Sequence, residues 1–248
     1  MKRNWFFIVT LLMIISNTTS AQVFLGGRAG LNMSLLALSD EIAPYSELTQ
    51  PTPKLNANLA LNAYFEIGPY FSIQPEFIYN RKGLKSKAAF DTGSKQDSSI
   101  YGELQYSFDY FEFPLMLKLS LNNEGFDPFF EFGAYYGYLI QAKYVSDIYL
   151  NDEKFISEDY KPSLTKPNVS GISFNRNEWG FKAGIGGMFK TNRGAFYFSI
   201  RYSQGLTDIF NYTEKTSSYE KSYNRVFQLN FGYLLELRKS NNNKIYYY

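Results

Sequence analysis

The 248-residue sequence contains no cysteine and no histidine. The first absence removes disulfide frameworks, thiol nucleophiles and thiolate zinc sites. The second removes Ser-His triads, imidazole general bases and most transition-metal chemistry. Charge is also sparse: charged residues make up 19%, matching the aromatics at 19%. Lys and Arg number 25 against 23 Asp and Glu, and Lys2 and Arg3 account for the whole excess. The remainder is formally neutral, which gives no electrostatic footing for nucleic acid. No cofactor-binding motif compensates for these gaps, and no enzyme is expected.

Long hydrophobic runs are missing as well. Trp5 to Ile15 is apolar but too short for a spanning helix, which needs about 20 residues. It follows the basic Met1-Lys2-Arg3 and precedes the small, polar Ser16 to Ala21. That order is the pattern of a secretory signal, cleaved between Ala21 and Gln22. No cysteine follows the cleavage point, so a lipid anchor is not expected. The resulting division is a signal peptide at 1–21, one domain at 22–238 and a polar tail at 239–248.

What the chain has in abundance is period-two alternation. Phe227, Leu229, Phe231, Tyr233, Leu235 and Leu237 interleave with Gln228, Asn230, Gly232 and Glu236. Phe111, Phe113, Leu115, Leu117 and Leu119 oppose Glu112, Met116, Lys118 and Ser120. Phe196, Phe198, Ile200 and Tyr202 oppose Tyr197, Ser199, Arg201 and Ser203. Such spacing gives a strand with two chemically different faces, not a helix. Weaker versions run through 22–34, 57–67, 71–82, 127–141 and 177–190, making about eight strands. Their length suits bilayer crossing, which takes about 9–11 residues. Tight turns at Ile67 to Tyr70, Asn122 to Phe126 and Thr191 to Arg193 alternate with long polar stretches at 35–56, 83–105, 142–176 and 207–223. Short turns at one rim and long loops at the other predict an all-β, eight-stranded antiparallel up-and-down transmembrane β-barrel, with four long outer loops and short periplasmic turns.

The composition of the two faces sets which one points inward. The polar face is poor in charge and rich in small or amide residues, including Gly30, Asn32, Asn58, Asn62, Gly184 and Gly186. A water-facing exterior would carry dense Lys and Glu, whereas small residues suit a narrow lumen. The other face is nearly free of charge and heavy in Phe, Leu and Ile, as lipid contact requires. Tyr70, Phe71, Phe129, Phe130, Trp179, Tyr202 and Tyr233 are expected to supply interfacial aromatics.

The glycines of Gly26-Gly27-Arg28-Ala29-Gly30 and Gly184-Ile185-Gly186-Gly187 lack phosphate-loop spacing and read as room for large lumen neighbours. Asp147, Asp152, Glu153, Glu158 and Asp159 cluster without calcium-loop spacing among several lysines, and read as a solvated loop rather than a metal site. The lumen charges are more informative: Arg28, Glu76, Glu112, Lys118, Glu131, Lys182 and Arg201, with Glu66 and Glu236 on the same face. An eight-stranded lumen is just wide enough for side chains to fill, and unpaired burial is costly, so these charges are expected to pair. Glu76, Glu112, Lys182, Arg201 and Arg28 stand at similar heights, about six to nine residues from the turn end at 3.3–3.4 Å per residue. The expectation is a mid-membrane plug in which Glu76 and Glu112 meet Arg28, Lys182 or Arg201.

Several stretches carry a family likeness: Gly26-Gly27-Arg28-Ala29-Gly30-Leu31-Asn32, Phe71-Ser72-Ile73-Gln74-Pro75-Glu76-Phe77-Ile78-Tyr79, Tyr110-Phe111-Glu112-Phe113-Pro114-Leu115, Arg201 to Ile209, and Leu229-Asn230-Phe231-Gly232-Tyr233. In these the chain resembles the outer-membrane β-barrel domain proteins of the Bacteroidetes, known as PorT-like or porin-family proteins. The resemblance implies an outer-membrane location and an eight-stranded barrel, with no single biochemical activity. The founding member is an accessory protein of type IX secretion and gliding, whose functional motifs have no match here. The reading is therefore a non-enzymatic, monomeric outer-membrane barrel in contact with outer-membrane lipid and inserted by the barrel-assembly machinery. Its role would be structural, or an interaction through the loops with surface polymers or secretion machinery. The alternative is small-solute transport through a transiently opened lumen.

Overall fold

The computed structural model describes residues 22–38, 50–90, 100–121, 125–164, 172–212 and 221–238. The expected cleavage site at Ala21 and the tail at 239–248 lie outside these residues. The strands are β1 (Val23–Leu38), β2 (Gln50–Glu66), β3 (Phe71–Phe90), β4 (Ile100–Ser120), β5 (Phe126–Leu150), β6 (Glu153–Tyr160), β7 (Ile172–Phe174), β8 (Asn177–Thr191), β9 (Gly194–Gly205), β10 (Phe210–Tyr212) and β11 (Ser222–Arg238). Eight of them close a ring in the order β4-β3-β2-β1-β11-β9-β8-β5, with β5 paired back to β4. Every pairing in the ring is antiparallel, and β1 pairs with β11, the last of the described strands. Closure leaves the ring without an unpaired edge.

Alternation sorts the side chains between two environments. Asn58, Asn62, Gln74, Asn80, Ser199 and Asn230 are buried in the lumen, while Leu31, Leu59, Leu61, Phe113, Leu115, Ile185, Ile200 and Phe231 are exposed on the outside. An exterior of this kind is stable only in lipid, because a soluble protein seldom exposes so continuous an apolar surface. Glycines on the inner face give space to rings. A Cβ on Gly186 would lie 2.5 Å from Phe129, and one on Gly232 would lie 2.5 Å from Tyr197. Phe129 is accordingly a lumen residue at 2% exposure, not the interfacial aromatic that its place near a strand end suggested.

The strands also run further than the alternation indicated. Much of the stretches read as loops at 83–105 and 142–176 is strand, because β3, β4 and β5 continue past the ring in register: Ala89 faces Tyr101, and Tyr101 faces Tyr149. β6 adds to β5 at Tyr144 to Leu150, forming a blade beyond the loop end. Outside lipid neither face must be uniformly apolar, so the ladder continues although its sequence signature fades. β7 and β10 make a small second sheet joining the third and fourth loop regions.

Candidate functional site

The lumen is filled in three layers. At the turn end, Phe24, Tyr64, Phe129, Met188, Ala195, Tyr197 and Leu234 form one apolar cluster. At the loop end, Leu84, Phe108, Tyr110, Leu139, Ala142 and Ile209 form another, against which Leu164, Phe174 and Phe210 pack. Between them lies the charged layer, supplied by inward positions of β1, β3, β4, β5, β8 and β9.

One half of this layer is centred on Arg201. Its two terminal nitrogens each donate at 2.8 Å to Glu76, and its Nη2 also donates at 2.9 Å to Glu131. Its Nε donates to the other oxygen of Glu131. Arg28 reaches Glu76 at 2.9 Å and donates to Asn58 at 3.1 Å and to Asn230. Lys118 lies 3.5 Å from Glu131, with its ammonium over the ring of Phe129 at 4.0 Å and that of Tyr197 at 4.9 Å. These rings belong to the apolar layer below, so the cation is held partly by aromatic faces.

The other half is centred on Glu112, which accepts from Lys182 at 2.7 Å and pairs with Lys82 at 2.7 Å. Asn80 donates to the same carboxylate at 2.9 Å. Lys82 also pairs with Glu178 at 2.8 Å. Glu178 in turn accepts from Tyr135 at 2.9 Å and Asn224 at 3.1 Å. Arg28, Glu76, Glu112, Glu131, Lys182 and Arg201 have side chains with no exposed surface, and Lys118 has 1%.

The structure thus brings Glu76 to Arg28 and Arg201, and Glu112 to Lys182. Lys118 and Glu131 pair with each other, and Glu131 shares Arg201 with Glu76. Glu66 stands apart at the turn end, where it accepts from Lys190 at 3.0 Å. Lys82 and Glu178 belong to the layer but were not named among the lumen charges, although both fall within the strands read at 71–82 and 177–190. Parity alone finds both: Lys82 shares the inward set with Glu76 and Asn80, and Glu178 shares it with Lys182. The acidic cluster beyond the ring divides among other partners. Asp147 binds Lys154 at 2.9 Å, Asp159 binds Lys143 at 2.6 Å, and Asp152 accepts from Tyr101 at 3.2 Å.

The charged layer lies between the two apolar clusters with its ionised side chains buried. Each charge is desolvated, and the arrangement holds only while the partners stay in place.

Residues 16–211 match the family model described as outer membrane protein beta-barrel domain. Curated proteins gave no match. Among solved structures, the chain is similar to the outer membrane protein OprG of Pseudomonas aeruginosa, at 15% identity and TM-score 0.37, covering 88% of this chain and 93% of that one. It is similar to Ail, the attachment invasion locus protein of Yersinia pestis, at 14% identity and TM-score 0.35, covering 87% and 99%. It is also similar to the outer membrane protease OmpT of Escherichia coli, at 10% identity and TM-score 0.31, covering 88% and 96%. With a family match over most of its length and a closed ring with an apolar exterior, the chain belongs to the outer membrane protein beta-barrel domain family and resides in the cell outer membrane.

Proposed function

We propose that this barrel is a closed, non-enzymatic component of the outer membrane that acts through the strands and loops beyond its loop end. The observation that carries the reading is the charged layer, in which the ion-paired side chains of Arg28, Glu76, Glu112, Lys182 and Arg201 are wholly buried. A solute would have to break several of these pairs at once, each break costing about 3–5 kcal/mol. Solute transport and substrate access through the lumen are therefore disfavoured, which leaves the blade of β3 to β6 as the working surface. In this reading the loop end faces outward and the short turns face the periplasm. The barrel works as a monomer, inserted by the assembly machinery, with surface polymers or secretion components as loop partners. An accessory part in secretion is the specific use that the PorT-like resemblance supports.

Swelling of vesicles that contain the refolded barrel tests the closed lumen. Small sugars should enter no faster than into empty vesicles, and faster entry would put transport first. Protease added to intact cells tests the orientation. Cleavage should occur within 83–105 or 142–176, and cleavage at Gly68 or Arg193 instead would reverse it.

A further inference from the structure

On the outside of the ring, β2 to β5 carry a group of cations that the lumen does not use. Counted from the turn end, Arg81 stands about ten residues up β3, Lys54 and Ser107 about twelve to thirteen up their strands and Lys85 about fourteen, against about 9–11 for a bilayer crossing. The group therefore sits at the loop-end rim of the apolar belt and just above it. Alternation places Arg81, Lys85 and Ser107 on the face that shows Phe77, Phe113 and Leu115 to lipid.

Ser107 lies at the middle of the group. Its register partners are Gly83 on β3 and Lys143 on β5. Gly83 presents no side chain there, and the Lys54 amine donates to the Ser107 Oγ at 2.7 Å and the Tyr106 carbonyl at 3.3 Å. Arg81 donates to Asp109 at 2.6 and 3.0 Å. Lys143 pairs with Asp159 at 2.6 Å, and Glu103 is shared by Lys85 at 3.4 Å and Lys87 at 3.7 Å. Five cations thus meet three carboxylates, with Asp147 of the Lys154 pair also acting on Lys85, and among the described residues Lys54 has no ion pair. Burial first, then the charges of Lys85, Arg81 and Lys143, push its amine below the ordinary lysine value. Like charges gathered this closely repel one another, and an anion placed among them relieves the repulsion.

We propose that this cluster binds the phosphate-bearing headgroup of a membrane lipid, whose acyl chains lie along the apolar face below. A phosphate accepts from several donors at once and suits a mixed arginine and lysine site. The Ser107 hydroxyl accepts from Lys54 and keeps its own proton to donate. Height selects a lipid over a free ion, because the cations stand where headgroups sit above the hydrocarbon. The site needs only that the belt lies in lipid, so it does not depend on which end faces outward. On the other side of the ring, Arg225 donates instead to Gln204 at 3.1 Å and stands outside the cluster.

Native mass spectrometry of the full barrel in non-ionic detergent tests the proposal with three probes: diphosphoryl lipid A, the same lipid stripped of phosphate, and inorganic phosphate. Diphosphoryl lipid A should bind at least ten-fold more tightly than the stripped form. The double variant Lys54→Gln, Lys143→Gln should lose most of that preference, while Arg225→Gln keeps it. Retained heat-modifiable migration on gels shows that each variant is folded. Equal binding of the stripped lipid, or full preference in the folded double variant, would overturn the site. Inorganic phosphate competing at the concentration of lipid A would overturn the assignment to a lipid. Protease mapping on cells reads the orientation separately.

Discussion

Replacing Arg201 with methionine removes the guanidinium between two carboxylates while keeping an unbranched apolar stem. Arg201 is fully buried, so no water takes its place at low cost. Afterwards Glu76 keeps Arg28 at 2.9 Å, whereas Glu131 keeps only Lys118 at 3.5 Å. Glu131 is the group left stranded. Removing one partner of a buried ion pair costs about 3–5 kcal/mol, whereas removing the charges together often costs little. Arg201→Met should therefore destabilise the barrel by about 3–5 kcal/mol. The double variant with Glu131→Gln should show a coupling of about 1–3 kcal/mol. Recovery stays partial because Lys118 then has only the faces of Phe129 and Tyr197. The assay is urea unfolding of the chain from Gln22 onward, refolded in phosphatidylcholine vesicles. Trp179 is then the sole tryptophan, and it lies exposed to lipid. A single-variant loss below about 1 kcal/mol, the scale of an exposed pair, would refute the reasoning. So would strict additivity in the double variant.

Other outcomes follow from the same geometry. Gly83 has φ of 152°, and a Cβ there would lie 2.0 Å from the Tyr106 carbonyl oxygen; Gly83→Ala should cost at least about 1–3 kcal/mol in the same unfolding assay. In the blade, hydrogen bonds from Ser157 and then Lys154 hold the Asp147 carboxyl below its ordinary value. A depressed carboxyl stabilises above its unfolded value, about 3.9, and the contribution is lost as pH falls through the lower folded one. Acid below about pH 4, or Asp147→Asn at neutral pH, should therefore speed proteolysis within Glu153–Tyr160 while leaving the ring heat-modifiable. Equal proteolysis of Asp147→Asn and the parent chain would show that the contact does not hold β6.

How far the structure could be read from sequence depended on where lipid lies. Between Phe227 and Leu237, or Phe111 and Leu119, lipid on one side and a filled lumen on the other force opposite chemistry onto alternate residues, so strand, face and inward charges were legible. Above the belt that constraint ends. Leu104 and Ser146 face each other in register beside Ser86 and Glu158, a mixture with no period to detect, and β6 and the blade went unread. Inside the lumen, parity located Glu76 and Arg201, but partner choice required the stagger of the ring. That stagger gives Lys82 to Glu112 and Glu178, and it gives Arg201 to Glu131 as well as Glu76. The apolar layers were missed for a different reason: Phe129, near a strand end, looks like an interfacial aromatic until Gly186 opens space for its ring inside the lumen.

The closed lumen is tested most directly by single-barrel conductance in a planar bilayer, with the refolded chain in 1 M potassium chloride. Insertion is scored independently by protease protection of the spanning strands in the same lipid. The three-layer plug predicts inserted barrels with a flat current trace and no steady open level at moderate voltage. Inserted barrels that hold a stable open level scaling with salt concentration would mean a continuous water path past Arg201 and Glu112, and would contradict the account.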